Sequence, residues 1–315
     1  MTISVVLAVY NGEKTLRRQL DSIRRQSATP DEVLICDDCS TDTTRTLVRE
    51  YIEQYRLTNW KLHENERNLG WKQNFMQGMK KSKGELIFPC DQDDRWYPEK
   101  IAQMTRTMEK DPAVLLLSCD MRILYEGKAI RAKVYRETAA ERKKPYARYG
   151  FTEHFFMNPR PGCSYAIRRS FFDDVCEGWK ENYPHDEFLW LTAALQDGAY
   201  FQNEVLMDFI RSEENASDIR YKDIAKQKEN LDYIRSTLEY MEAYAKANPD
   251  RVPADHLDKV KTARIWCRKR MRLMETRNPV RWLALMPYRG YYNSVKNCLS
   301  DLYLILFGSF RRKAR

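Results

Sequence analysis

Glu85-Leu86-Ile87-Phe88-Pro89-Cys90-Asp91-Gln92-Asp93-Asp94-Arg95-Trp96 runs from an apolar stretch straight into three carboxylates within four residues. The apolar part reads as a buried strand, so the carboxylates stand at a strand's end, with a helix signal at Pro98-Glu99-Lys100 just beyond. Clustered like charges raise one another's pKa unless something positive sits among them. A hard divalent cation meets that need: Mg²⁺ takes oxygen ligands and commonly bridges one or two carboxylates to substrate phosphates. The carboxyl ends of strands are also where open α/β sheets place their ligands. The competing reading is a solvated acidic turn that caps the next helix.

Working outward, the N-terminal half alternates strands with helices. Thr2 to Val9 is a nearly continuous apolar run, as expected of a strand buried on both faces. Tyr10-Asn11-Gly12 breaks it, and Leu16, Leu20 and Ile23 then recur at helical spacing. Glu32 to Cys36 predicts a second strand, ending in Asp37-Asp38-Cys39-Ser40-Thr41-Asp42, with Asp42 placed to cap a helix from about Thr43 to Tyr55. Trp60 to His63 predicts a third strand, Gly70 to Lys81 a helix, and Glu85 to Cys90 the fourth strand. Such alternation implies a parallel sheet. Neither a Gly-x-Gly-x-x-Gly turn nor a Gly-Lys-Ser/Thr loop follows the first strand. A bound diphosphate would therefore be held through the acidic cluster and its cation rather than by a glycine loop.

Together, Ala8-Val9-Tyr10-Asn11-Gly12, Asp37-Asp38-Cys39-Ser40-Thr41-Asp42 and Asp91-Gln92-Asp93-Asp94 resemble the motifs of the family 2 inverting glycosyltransferases of GT-A fold. Gly162-Cys163-Ser164-Tyr165-Ala166-Ile167-Arg168-Arg169 resembles the acceptor-side strand of those enzymes. His185-Asp186-Glu187-Phe188-Leu189-Trp190-Leu191 resembles the segment carrying their catalytic base, in the His-Asp form of the rhamnosyltransferase-like branch. The resemblance spans residues 2 to about 215. It implies an α/β fold of GT-A type: a Rossmann-like, mostly parallel central sheet flanked by helices, followed by a helical appendage. The expected division is residues 1–220 for the nucleotide-sugar-binding catalytic domain and 221–315 for the basic helical region.

The same resemblance assigns roles. Val9, Tyr10, Asn11, Asp38, Lys72, Asn74, Asp91 and Gln92 become donor-binding residues, with Tyr10 against the base or ribose and Asp38 accepting from the base N–H. Asp93 is the first choice for direct ligation of Mg²⁺ or Mn²⁺, with Asp94 beside it, and Glu213 stands where relatives often carry a metal-binding His. Asp186 becomes the general base; on residue type alone it reads rather as a helix N-cap or an acid in a helix's first turn. Two alternatives stay open. One is a metal-dependent nucleotidyltransferase, which typically carries a glycine-rich basic loop absent here. The other is a membrane- or nucleic-acid-binding module built on a degenerate nucleotide fold.

Composition fits an enzyme with a reduced interior. The eight cysteines show no disulfide-framework spacing. The literal Cys36-x-x-Cys39 pair has no second Cys pair to complete a zinc site. Met1-Thr2-Ile3-Ser4 reads as strand rather than signal peptide, and no apolar run approaches the ~20 residues a membrane span requires. The expected location is cytoplasmic, with peripheral attachment to the inner face of the membrane left open. Residues 256–315 hold 15 Lys/Arg against 3 Asp/Glu, a net +12, while the whole chain is +9. Trp, Tyr and Leu interleave with these charges. The tail therefore suits an anionic membrane surface, packing within the protein or, less well, nucleic acid. Expected partners are a nucleotide-sugar donor, a glycan or lipid-linked acceptor and an anionic membrane surface. Residues 126–150, rich in Lys, Arg and Glu, predict a hairpin turn at Gly127 and a mobile loop over 136–150.

Overall fold

The apolar runs form the strands they predict. The chain opens with β1 (Ile3–Val9), α1 (Leu16–Arg24), β2 (Glu32–Asp37), α2 (Thr44–Gln54), β3 (Trp60–Glu64), α3 (Trp71–Lys81) and β4 (Leu86–Cys90). There follow β5 (Arg95–Trp96), α4 (Lys100–Lys110), β6 (Leu116–Tyr125), β7 (Lys128–Ala129) and β8 (Tyr146–Arg148). Next come β9 (Tyr165–Arg168), α5 (Arg169–Val175), α6 (His185–Leu195) and β10 (Ala199–Arg211). This computed structural model describes residues 1–125, 128–129, 144–153, 155, 160–181, 183–211, 223–292 and 294–308.

The sheet order is β3-β2-β1-β4-β9-β6-β10-β5, with β7 on β6 and β8 on β10. The first four strands are parallel, in register Val6↔Leu34, Ile35↔Leu62 and Val6↔Pro89. β9 then enters antiparallel between β4 and β6, and β6 runs parallel to β10. The β4–β9 ladder ends at Ile87, so the N–H that Pro89 lacks falls beyond it. That is how a proline is tolerated inside the sheet. Because β1, β2 and β4 run the same way, their carboxyl ends deliver Tyr10–Gly12, Asp38–Asp42 and Asp91–Asp94 to one edge. Helix α3 packs closely on this sheet through Gly78: a Cβ there would lie 2.6 Å from Val6 Cγ1 and 2.8 Å from the Cys36 sulfur.

Two expectations need correction. Residues 144–150 are not loop throughout, since Tyr146–Arg148 pairs antiparallel with β10 through Tyr200↔Arg148. The Tyr146 and Tyr200 rings meet at a tilt with centroids 6.0 Å apart, and such cross-strand aromatic pairs hold an edge that its charged composition hides. Asp42 also stands one place further from its helix than expected. Thr43 takes the cap position, and Asp42 Oδ1 accepts the Thr44 N–H at 3.0 Å. Gly127, residues 136–143 and Glu213 lie outside the described residues, although β6 and β7 on either side of Gly127 pair antiparallel.

The chain divides into two units. The first comprises Met1–Tyr149, Pro159–Ala193 and Gly198–Glu214, and the second comprises Gly150–Asn158, Ala194–Asp197 and Asn215–Arg315. The second unit carries α7 (Ile224–Ala247), α8 (Ala254–Thr276), α9 (Val280–Leu283) and α10 (Val295–Phe307). Asp223 caps α7 by accepting the Lys226 N–H at 2.8 Å, and Ser294 caps α10. Gly308, at φ 76°, closes α10 in the left-handed conformation. Trp266, Leu273, Met274, Tyr291, Tyr292, Leu304 and Ile305 form its interior, so much of the tail's apolar content is packed. At its centre the buried Asp301 accepts from Arg270 at 2.5 and 2.8 Å and from the Tyr292 hydroxyl at 2.8 Å.

Candidate active site

The loop after β1 is tied to its neighbours by paired amide contacts. Gln92 accepts the Tyr10 N–H at 2.9 Å and donates to the Tyr10 carbonyl at 3.0 Å. Asn11, at φ 47°, accepts the Thr41 N–H at 2.8 Å on its side chain, while its own N–H donates to Ser40 Oγ at 3.0 Å. These contacts hold the Tyr10 ring out in solvent, 46% exposed, beside the buried end of β1 at Val9. Asp38 is buried. Its carboxylate accepts Leu69 N–H at 2.7 Å, Gly70 N–H at 2.8 Å and Asn65 Nδ2 at 2.9 Å. Asn74 donates to the Cys36 carbonyl at 2.9 Å and accepts from Asn65 at 2.9 Å. Asp38 and Asn74 thus fix the turn that launches α3, and Lys72 lies in the first turn of that helix.

The acidic cluster is held from behind. Arg18 on α1 donates to the carbonyls of Asp93 and Asp94. Asp94 is fully buried; one oxygen accepts the Ile210 N–H at 3.0 Å, and the other finds no donor among the described residues. Asp91, Asp94 and the Cys163 sulfur approach one another within 4.8 Å. Burial and the charge of Asp93 push the Asp91 carboxyl up to about 7, with Asp186 adding to the shift. Asp94 is raised well above the carboxylate range by burial, then by Asp91 and Asp93. Burial also raises the Cys163 thiol, which keeps it protonated. A lysine answers this cluster from within the protein. Lys100, wholly buried, donates from Nζ to the Cys163 carbonyl at 2.6 Å and sits 3.9 Å above the Trp96 ring.

Asp186 occupies the first turn of α6, where its carboxylate accepts the Glu187 N–H at 3.0 Å. His185 beside it is buried, stacks on Phe75 at 4.5 Å and meets Trp71 edge-on at 5.6 Å. Neither of its ring nitrogens makes a hydrogen bond among the described residues. Burial drops its pKa to about 4, so the ring is neutral at pH 7. Gly162 lets α6 approach: a Cβ there would lie 2.9 Å from Asp186 Cβ and 3.2 Å from His185 Nε2. Gly162→Ala should therefore displace the first turn of α6, costing about 1–3 kcal/mol of stability and about tenfold or more in activity. Melting temperature and turnover measured side by side check this; a variant matching wild type in both would show that the turn yields freely.

Glu187 offers a pH prediction. Burial, reinforced by Asp186, raises its carboxyl from 4.5 to about 7. The folded state then binds a proton that the unfolded state releases. The associated stability is complete below the unfolded pKa and is lost as pH rises through about 7. Glu187→Gln should flatten that decline, gaining about 1–3 kcal/mol at pH ~8 and almost nothing at pH ~4.5. Melting curves across this range decide it: an unchanged slope would assign the decline to other groups.

The profile of the family described as "Glycosyl transferase family 2" matches residues 4–176. The chain belongs to glycosyltransferase family 2. An uncharacterized protein of Mycobacterium tuberculosis is 32% identical to this family 2 chain over 130 residues, which are 40% of this chain and 37% of that protein. The chain thus spans little more than a third of that relative's length. The poly(ribitol-phosphate) β-N-acetylglucosaminyltransferase TarS of Staphylococcus aureus is 29% identical over 143 residues, 45% of this chain and 24% of TarS. The structure of TarS residues 1–349 in complex with UDP-GlcNAc superposes with a TM-score of 0.61 at 16% identity, covering 99% of this chain and 93% of that one. A mannosyltransferase from Pyrobaculum calidifontis, solved with GDP-Man and Mn²⁺, gives 0.55 at 16% identity, covering 97% and 87%. At these identities the structural likeness establishes the GT-A fold alone.

Within this family 2 chain, the residues singled out by sequence fall into two groups. Val9 at the end of β1, Tyr10, Asn11, Asp38 and Gln92 in the linked loops after β1, β2 and β4, and Lys72 and Asn74 in the first turn of α3 form one group. Asp91, Asp93 and Asp94 form the acidic cluster, and the Gly162-Cys163 segment links it to the α6 acid, with Cys163 beside Asp91 and Asp94 and Gly162 against Asp186. Glu213 is the one candidate that the described residues do not place. The cluster suits a divalent cation, because two destabilised carboxylates and a buried oxygen without a donor are the groups a hard cation relieves. Sequence reading gave no role to Arg18, Lys100, Cys163 or Glu187. Cys163 and Glu187 lie inside segments that the resemblance marks; Arg18 and Lys100 reach the cluster through tertiary contacts.

Proposed function

We propose that this chain transfers one sugar from a nucleoside-diphosphate donor to a hydroxyl of a surface-glycan acceptor, free or lipid-linked, with inversion at the anomeric carbon. One observation carries the reading. An acidic cluster at the end of a parallel strand and an acid at the start of α6 meet across the Gly162-Cys163 segment: the Cys163 sulfur lies within 4.8 Å of Asp91 and Asp94, and a Cβ on Gly162 would lie 2.9 Å from Asp186 Cβ. The ligands bound in the two similar structures, UDP-GlcNAc in one and GDP-Man with Mn²⁺ in the other, support the donor class. The poly(ribitol-phosphate) acceptor for which TarS is named supports the surface-glycan class.

In this reading Tyr10 offers its exposed ring to the nucleotide base, and Asp38, Asn74 and Gln92 hold the loops around it. Asp93, with Asp91 and Asp94, would hold Mg²⁺ or Mn²⁺. When bound, that cation offsets the charge accumulating on the leaving diphosphate. Asp186 accepts the proton of the acceptor hydroxyl as its oxygen bonds to the anomeric carbon and the bond to the diphosphate oxygen breaks. A single displacement of this kind inverts the configuration. Neutral His185 packs behind Asp186 and adds no competing charge.

Incubating the protein with a panel of UDP-, GDP- and dTDP-sugars, Mn²⁺ and glycan acceptors tests the proposal. The expected result is nucleoside-diphosphate release from one donor, accelerated by one acceptor, with hexosyl and rhamnosyl donors separated by the same panel. Pyrophosphate release from nucleoside triphosphates, with no diphosphate release from any sugar donor, would replace this reading with nucleotidyl transfer.

A further inference from the structure

The second unit keeps only part of its apolar surface inside. Along α10, Val295 (75% exposed), Leu299 (51%), Leu306 and Phe307 (66%) face solvent, while Cys298, Asp301, Leu304 and Ile305 are buried. The exposed set recurs at steps of four, seven and eight, which places it in one stripe of the helix. Tyr303 lies in the same stripe, its ring centroid 4.8 Å from that of Phe307. Beside the stripe, Trp282 of α9 donates from Nε1 to the Cys298 carbonyl at 2.9 Å. That bond docks α9 on α10 and leaves Val280 and Leu283 exposed as well. These apolar side chains are left on the outside of α9 and α10 rather than packed inward.

The exposed charges on α9 and α10 are of one sign. Arg277, Arg281, Arg289 and Lys296 are exposed and have no ion-pair partner among the described residues. Beyond Thr276 the sequence carries a single acid, Asp301, which is 1% exposed and committed to Arg270 and Tyr292. No helix of the described residues is long and apolar enough to cross a membrane. With 13 residues, α10 is about 20 Å long.

We infer that the α9–α10 face lies flat on an anionic bilayer, with its apolar stripe in the headgroup boundary and its Arg/Lys side chains on lipid phosphates. A short helix with an aromatic-bearing apolar side and an uncompensated basic rim has the chemistry of an interfacial helix. A second copy of the chain fits less well, because self-association would bring two rims of like charge together around the apolar contact. An RNA would satisfy the charge but not the aliphatic stripe. The inference is independent of sugar transfer, since vesicle binding reads it directly.

Co-sedimentation of the full chain with vesicles tests it. Wild type should bind vesicles of about 30% phosphatidylglycerol far better than neutral ones, and lose most of that binding between ~0.05 and ~0.5 M salt. Leu299→Glu with Leu306→Glu alters exposed positions only, so the variant should melt like wild type yet bind about tenfold or more weakly. Arg281→Glu with Lys296→Glu should lose about 30-fold or more at low salt. Wild-type indifference to anionic vesicles would overturn the inference. So would variants that bind as wild type does, a concentration-dependent dimer abolished by Leu299→Glu with Leu306→Glu, or salt-sensitive RNA binding without vesicle binding.

Discussion

Asp186→Asn should cut turnover by about 10²–10⁴-fold, the usual worth of a positioned general base, while leaving donor affinity close to that of wild type. The amide keeps the size of the side chain and can still accept the Glu187 N–H with its carbonyl oxygen, so the first turn of α6 should survive. What it loses is the capacity to take a proton. The substitution also removes a negative charge that helps to raise Asp91, so donor and cation binding should hold steady or tighten slightly. Turnover and nucleotide affinity, measured separately, distinguish this from a donor-side role. A variant that turned over normally but bound nucleotide poorly would move Asp186 to the donor site and leave the base unassigned.

The sequence makes the first four strands legible because each is a short apolar run closed by a turn signal, and parallel strands buried on both faces leave that trace. The same directness places Tyr10, Asp38 and the acidic cluster, since strand ends in a parallel sheet share an edge. Later elements leave weaker traces. β8 is a three-residue edge strand inside a charged segment, and its partner on β10 lies more than fifty residues away. β9 enters antiparallel at the centre of the sheet after a long excursion, and nothing local to Tyr165–Arg168 announces that neighbour order. Lys100 illustrates the limit most clearly. It reads as an ordinary basic residue at the start of a helix, yet it is wholly buried against Trp96 and the Cys163 carbonyl. A buried lysine is legible only once the carboxylates it faces are known. In the tail, the interleaving of Trp, Tyr and Leu with basic residues is legible, but only packing separates the apolar residues that serve the core from those left outside.

Removal of the cation should abolish transfer, and Asp93→Asn should do the same without unfolding the protein. Of the three cluster acids, Asp94 is fully enclosed and has one oxygen committed to the Ile210 N–H. Asp91 is held near neutral pH by burial and by the charge of Asp93. Asp93 is partly exposed, as Asp91 is, and it is the member whose charge raises both others, which suits it to meet a cation arriving with the donor. Replacing its carboxylate by an amide removes charge that a hard cation needs. It also relieves the repulsion on Asp91 and Asp94, so the metal-free variant should melt at or above the wild-type temperature. Calorimetric titration with Mn²⁺ should show binding to wild type and a loss of about tenfold or more in the variant. Chelation by EDTA should silence wild type and be reversed by Mn²⁺ or Mg²⁺. Full activity in EDTA would sink the cation assignment. Retained Mn²⁺ affinity in Asp93→Asn, with loss in Asp94→Asn, would transfer the ligand role to the buried acid, whose unpartnered oxygen would then be the coordinating atom.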